Sequence, residues 1–415
     1  MRININSEVG EIEGVIIHEP GPEVENMTPQ NAQRALYSDI LNLSVASREY
    51  AQFKKVLKKI TNVYEVSELL KTVLSDEDAK KSLIQKICDN ENIINYANNL
   101  LEKPNDELAT QLIQGVPIDK MSNLTNFLSE SRYKLQPLHN FFFTRDASIS
   151  INDKVLIGKL ANQVREREAI IMEAIFNCLK LFETETINPS TPVTQRNITI
   201  EGGDLIIARH DIILVGIGAR TTTQGVDYLI EKFKSQKKNM NIIVQVLPME
   251  PESFIHLDMV FTFLDQDKCL IYPPVILNQH AFEIVHISIK NGKVKYIREQ
   301  KNILTALSKL GMKLDPIYCG GHTDEWIQER EQWHSGANFF AVGPGKIIGY
   351  DRNEYTIDEI NKHGFEVIKA KDIINHRIKI DDYQKYVITI EGAELARGGG
   401  GCRCMTMPVS RKDLL

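Results

Sequence analysis

Apolar and polar positions along the chain fall into short alternating runs and longer runs of helical period, and the two textures divide it. IEGVIIHEPG predicts a first strand, stopped by Pro20 and Gly21. A loop is expected from Met27 to Pro29. Residues 44–62 then set Phe53, Val56 and Leu57 on one side of a helix, and NVYEVS predicts a short strand. From about Leu70 to Leu135 the texture changes. DAKKSLIQKICDN, NIINYANNL, DELATQLIQG and MSNLTNFLSES keep helical spacing with few β-branched alternations. This stretch reads as a helical module inserted into a larger α/β body, its helices burying their apolar stripes against one another. The expected division is 1–69 with 136–415 for the body, and 70–135 for the module.

The body repeats one theme. FFFTRDASISINDKVLIG leads to NQVREREAIIMEAIF, EGGDLIIARHDIILVGIG to TTTQGVDYLIEKF, and ANFFAVGPGKIIGYDRN to TIDEINKHG. Each is a strand, a turn, a second strand, an arginine near the next transition and a helix. Residues 254–272 supply another paired-strand pattern, followed much later by the helix KNILTALSKLG. Repeated β-β-α units bury sheet faces against one another and against outer helices. No GxGxxG follows a strand and no P-loop is present, which argues against a plain dinucleotide fold.

Composition narrows the class. The 415 residues are 42% hydrophobic, enough for a sizeable core, and no apolar run is long enough to span a membrane. Lys and Arg total 49 against 55 Asp and Glu, a formal charge of −6 with no basic stripe, so nucleic acid is not an expected partner. The N-terminal MRININSEVGEIEG lacks the pattern of a secretory peptide. Six widely spaced cysteines are too sparse for a disulfide scaffold and fit a reducing, cytoplasmic setting.

Several polar residues stand out. Gly398 through Gly401 lead into Cys402 and Cys404, and such a close backbone approach suits display of a nucleophilic thiol. A glycine turn before a terminal strand with ordinary buried cysteines is the alternative. In SFIHLDMVFTFLD, strand alternation puts His256 and Asp258 on one face, an imidazole beside a carboxylate. Asp146 follows the apolar FFFTR, and Glu201 precedes a strand in EGGDLII. Gathered together, these carboxylates suit a cation with planar nitrogen donors, whereas singly they suit caps, turns or ion pairs. Arg165 and Arg220 carry forks suited to a substrate carboxylate. Surface pairing with Glu166, Glu168 or Glu173 is the plainer role for Arg165, and a structural clamp for Arg220 and Arg352. Asn140 suits a polar substrate group or a turn. Cys319 with His322, and Cys402 with Cys404, lack the spacing of a zinc module.

The motifs together resemble the arginine deiminase family over nearly the whole chain. VIIHEPG with ENMTP, NFFFTRD, EGGD, HLDMVFT, CGG, EREQW followed by GAN, GYDRN and RCMTMPVSRKD occur in the family's order. The resemblance implies a five-bladed, pseudosymmetric α/β propeller (a pentein) with a helical insertion. It implies hydrolysis of free L-arginine to L-citrulline and ammonia with no cofactor or metal. Carried over, Cys404 is the nucleophile, His256 the acid/base and Glu201 its orienter. Asp146 and Asp258 grip the guanidinium, Arg165 and Arg220 bind the substrate carboxylate, and Asn140 and Phe143 line the pocket. The family often forms homodimers or larger homo-oligomers.

Three positions depart from the family: His139 and Ala147 stand where proline is common, and Gly399 where arginine is frequent. An amidinotransferase, passing the amidino group to an amine, is the nearest catalytic alternative. A propeller without catalysis would leave Cys404, His256, Asp146 and Asp258 dispersed.

Overall fold

The computed structural model describes residues 1–27, 39–190, 197–278 and 283–414. Thr28 and Pro29 of the expected loop lie outside them. Five sheets of this mixed α/β fold repeat one pairing. In each, a central strand takes an antiparallel neighbour on one side and a parallel one on the other. The central strands are Ile12–Ile17, Lys154–Ile157, Ile212–Ile217, Lys268–Ile271 and Lys346–Tyr350. Their antiparallel partners are, in the same order, Met407–Arg411, Ser148–Ile151, Leu205–Arg209, Phe261–Phe263 and Phe340–Gly343. Their parallel partners are Asn62–Glu65, Glu185–Ile187, Met240–Val246, Asp315–Tyr318 and Tyr386–Ile390. A parallel neighbour needs a crossover, and the helices Leu43–Ile60, Glu166–Cys178, Thr223–Ser235, Ile303–Lys309 and Glu354–Lys362 lie in those crossovers.

The first sheet joins the two ends of the chain, with Ile16 opposite Met407 and Val15 opposite Pro408. The segment ahead of Met407 is thereby anchored on the N-terminal strand. The third sheet is widened to five strands by a hairpin, Ile284–Lys290 with Lys293–Gln300. Asn291 and Gly292 at its tip have φ of 51° and 71°, the left-handed pair that a tight two-residue hairpin turn requires.

The helix expected at 44–62 is Leu43–Ile60, and the strand read from NVYEVS ends at Glu65, where the next helix begins at Val66. Helices Val66–Leu74, Glu77–Asn90 and Asn105–Gln114 do bury apolar faces together. They are not self-sufficient, because Leu70, Ile84, Ile87 and Leu112 share one core with Ile171, Met172 and Ile175 of Glu166–Cys178 and with Met407 and Val409. Each such side chain contributes about 1.5–3 kcal/mol when fully buried.

Two expected strands are corrected. His256 does not alternate with Asp258 along a strand: it caps a single 3₁₀ turn, Leu257–Met259, and the strand starts only at Phe261. Phe141, Phe142 and Phe143 are buried without being a strand, and Thr144–Ala147 is one helical turn. In both segments burial of nearly all the side chains produced the pattern, not a period of two. No helix among the described residues is long and apolar enough to cross a membrane.

Candidate active site

The repeat explains why distant residues meet. In each sheet, polar residues occupy the segment running into the antiparallel outer strand. Asp146 sits in the helical turn ahead of Ser148–Ile151, and Glu201 and Asp204 flank the turn ahead of Leu205–Arg209. His256 and Asp258 precede Phe261–Phe263, Asn338 precedes Phe340–Gly343, and Cys404 precedes Met407–Arg411.

All of these side chains are buried. His256 Nε2 is 2.8 Å from Glu201 Oε2, and its Nδ1 is 3.6 Å from Asp146 Oδ1. Glu201 Oε1 accepts from the Ala161 N–H at 2.9 Å, which leaves its other oxygen for the imidazole. Cys404 Sγ lies 3.8 and 3.7 Å from the two oxygens of Asp258. The noncatalytic expectation of dispersal is therefore not met. EGGD has a steric meaning too. A Cβ on Gly203 would stand 2.6 Å from His256 Cγ and Nδ1 and 3.0 Å from Asp146 Oδ1. Only glycine lets the imidazole rest against that backbone.

Burial alone would discharge His256, but Asp146, Glu201 and Asp204 outweigh it and raise its pKa to about 9. Burial opposes the Glu201 carboxylate, yet the imidazolium keeps it below the ordinary carboxylate range. Asp204 is pushed up to about 7, chiefly by burial. Burial, then the charges of Asp258 and Asp146, push the Cys404 thiol well above its usual value. The site at rest thus pairs an imidazolium with a neutral thiol.

Arg165, expected either to read a substrate carboxylate or to pair at the surface, is paired in the interior. It is buried, donating to Asp146 Oδ2 at 2.7 Å, to Glu168 at 2.8–3.2 Å and to the Asn140 carbonyl at 3.4 Å. Removing it strands two buried carboxylates. Arg165→Ala is expected to lose about 3–5 kcal/mol of stability, measured by urea unfolding; an unchanged midpoint would contradict this pairing. Arg220 is half-buried, has no ion-pair partner among the described residues, and helps hold Glu201 ionised. Arg352 is the clamp its plainer role suggested, bonding the Ala393 carbonyl at 2.8 Å and His334 Nε2 at 3.1 Å. Phe143 packs on the glycine run, its Cε1 standing 2.5 Å from where a Gly400 Cβ would be.

Three residues that the sequence did not single out complete the site. Arg403 donates to Asp258 Oδ2 at 2.7 Å and is gripped by both oxygens of Glu8 at 3.0 and 3.1 Å. Asn338 donates to Cys404 Sγ at 3.2 Å. Arg403 and Asn338 were visible as the R of RCMTMP and the N of GAN, but nothing local marked Glu8.

Ligand atoms of Asp146, Glu201 and His256 all lie within 4.8 Å of one another, a set able to hold a cation. Arg165 and the imidazolium already balance these charges. Of the pairs weighed for zinc, Cys319 is buried beside Thr356 and His322 is exposed against Glu359. Cys402 is a buried core thiol.

Comparison with known proteins places the fold and the family. Solved structures of similar fold include the product-bound N-terminal domain of ArgZ, an arginine dihydrolase of cyanobacteria, at TM-score 0.53 and 13% identity, covering 96% of this chain and 97% of that one. Another is SxtG, an amidinotransferase from Microseira wollei, at TM-score 0.53 and 13% identity, covering 100% and 98%. These likenesses are of fold alone. In sequence, the arginine deiminase of Bacillus cereus is 30% identical over 429 residues, covering 99% of each chain. That of Listeria monocytogenes is 31% identical over 426 residues, covering 99% of this chain and 98% of its own length. The family model described as arginine deiminase matches residues 33–411. The chain belongs to the arginine deiminase family.

Proposed function

We propose that the chain hydrolyses the guanidinium group of free L-arginine to L-citrulline and ammonia through a covalent intermediate on Cys404. One observation carries the reading. Asp146 and Asp258 each give one oxygen to an internal arginine, and the buried Asp146 Oδ1 has no hydrogen-bond donor among the described residues. His256 Nδ1 at 3.6 Å is its nearby cation but lies beyond hydrogen-bond reach, and a buried carboxylate oxygen without a hydrogen bond is costly unless a donor arrives. A guanidinium held by Asp146 and by Asp258 would present its carbon to Sγ beside Asp258.

The chemistry follows from the groups present. The Cys404 thiol gives up its proton to solvent as the cationic substrate binds, and the thiolate Sγ bonds to the guanidinium carbon. His256 gives its proton to the departing nitrogen, and the carbon–nitrogen bond breaks to release ammonia. The neutral imidazole then takes a proton from water, whose oxygen bonds to the same carbon. The carbon–sulfur bond breaks, releasing citrulline and restoring the thiol site. Glu201 orients His256, while Arg165 acts by holding Asp146. Arg220, with Asn140, suits the substrate carboxylate, and Phe143 walls the pocket. The five repeated sheets read as the blades of a pseudosymmetric propeller, with 70–135 as its insertion. A homo-oligomeric enzyme in the cytoplasm belongs to the same reading, supported for the compartment by six free cysteines.

Incubation with arginine alone tests the reaction. Citrulline and ammonia should appear in equal amounts. Product that forms only when an amine acceptor is added would overturn hydrolysis in favour of transfer.

A further inference from the structure

Of the residues set ahead of the outer strands, Asn338 has no part in the chemistry above, yet it touches the sulfur directly. Its side chain is buried and works on two sides. Nδ2 donates to Cys404 Sγ at 3.2 Å and to the Asp258 carbonyl at 3.0 Å. Oδ1 accepts from the N–H groups of Arg403 at 3.0 Å and Cys404 at 3.1 Å. The amide has only one workable orientation, because two backbone donors need its oxygen and one backbone acceptor needs its nitrogen. The glycine run makes room for it. A Cβ on Gly401 would lie 2.6 Å from the Asn338 carbonyl oxygen and 2.8 Å from its Cβ and Oδ1.

The electrostatics give this contact a task. Asp258 faces the same sulfur and, with burial, opposes negative charge there. Arg403, the nearest cation in sequence, is spent on Glu8 and Asp258. The Asn338 amide is a side-chain N–H aimed at Sγ, alongside the backbone N–H of Gly401.

We propose that Asn338 is a catalytic residue that donates a hydrogen bond to the Cys404 thiolate in its attacking form, while its oxygen fixes the backbone of the nucleophile. This rests on Cys404 being the nucleophile. A donor to an ionised acceptor favours the charged form, so losing it disfavours the thiolate about tenfold or more.

Iodoacetamide labelling of the full-length, ligand-free protein, mapped by peptide mass, tests this across a pH series. Exposed Cys178 is the internal control. In the wild-type protein, loss of citrulline formation should track labelling of Cys404; activity surviving that labelling defeats the nucleophile assignment whatever Asn338 does. In Asn338→Ala, the Cys404 labelling profile should move alkaline by about one pH unit, with Cys178 unchanged. kcat should fall about 10²-fold, with KM within about threefold. A fall in kcat with Cys404 labelling that overlays the wild-type profile would show that Asn338 only holds the backbone, and would overturn the proposal. If Asn338→Ala does not fold, Asn338→Asp keeps the acceptor for both backbone N–H groups without the donor to sulfur, and an overlaid profile there overturns it equally.

Discussion

Cys404→Ser is expected to lower citrulline formation at least about 10⁴-fold while leaving the protein folded. The substitution changes one atom in a buried turn, and the hydroxyl still accepts the Asn338 N–H, so thermal unfolding should stay near the wild-type midpoint. Chemistry fails because a serine hydroxyl has no base beside it: His256 is already an imidazolium, and Asp258 and Asp146 oppose a second negative charge. The thiol meets the same opposition, since burial and those two carboxylates hold its pKa well above the usual value. On the proposed mechanism, a guanidinium bound between the aspartates would offset their charge and bring the thiolate within reach at neutral pH, whereas an alcohol starts from a far higher pKa. Intact mass after acid quench during turnover should show an adduct on the wild-type chain and none on Cys404→Ser. Citrulline at near wild-type rates from Cys404→Ser, or an adduct mapped to Cys402, would sink the assignment.

The repeat was legible because its signal is periodic. Strand pairs around turns of polar residues or glycine, each followed by a helix, appear at several places along the chain, and five sheets share one pairing order. The hairpin Ile284–Gln300 was missed despite its Asn291–Gly292 turn, the strongest short-range hairpin signal available. It adds two strands outside the repeating unit, so the period of the repeat carries no signal for it. Around the site, residue types were easier to read than geometry. His256 and Asp258 stood out through a strand alternation that the structure replaces with a 3₁₀ turn, which still brings both side chains to the candidate site. Arg165 shows the converse limit. Its fork suits a substrate or a protein carboxylate, and nothing local in the sequence shows that Asp146 and Glu168 are buried against it. Glu8 was out of reach, because its partner Arg403 lies 395 residues away and only the pairing of the two chain ends brings them together.

His256→Ala is expected to cost about 10³–10⁴-fold in kcat, because one imidazole serves both half-reactions: donor to the leaving nitrogen, then acceptor from water. Its environment suits the first task. Asp146 and Glu201 hold it protonated up to about pH 9 in the ligand-free protein, so a proton is present when ammonia must leave. Departure of that proton makes it the base the second step needs. The same shift makes a stability statement. Folding raises the pKa from 6.5 to about 9, so the native state binds this proton more tightly than the unfolded chain. The stabilisation is fully present below about pH 6.5 and is lost as pH rises through about 9. Wild-type stability should therefore decline across that window, and His256→Ala should lack this part of the decline. The variant also leaves Glu201 buried with its main cation gone, so it should unfold at lower urea near neutral pH. Urea midpoints measured from pH 6 to 10 decide the matter: parallel curves for the two proteins would remove the imidazolium from the resting site.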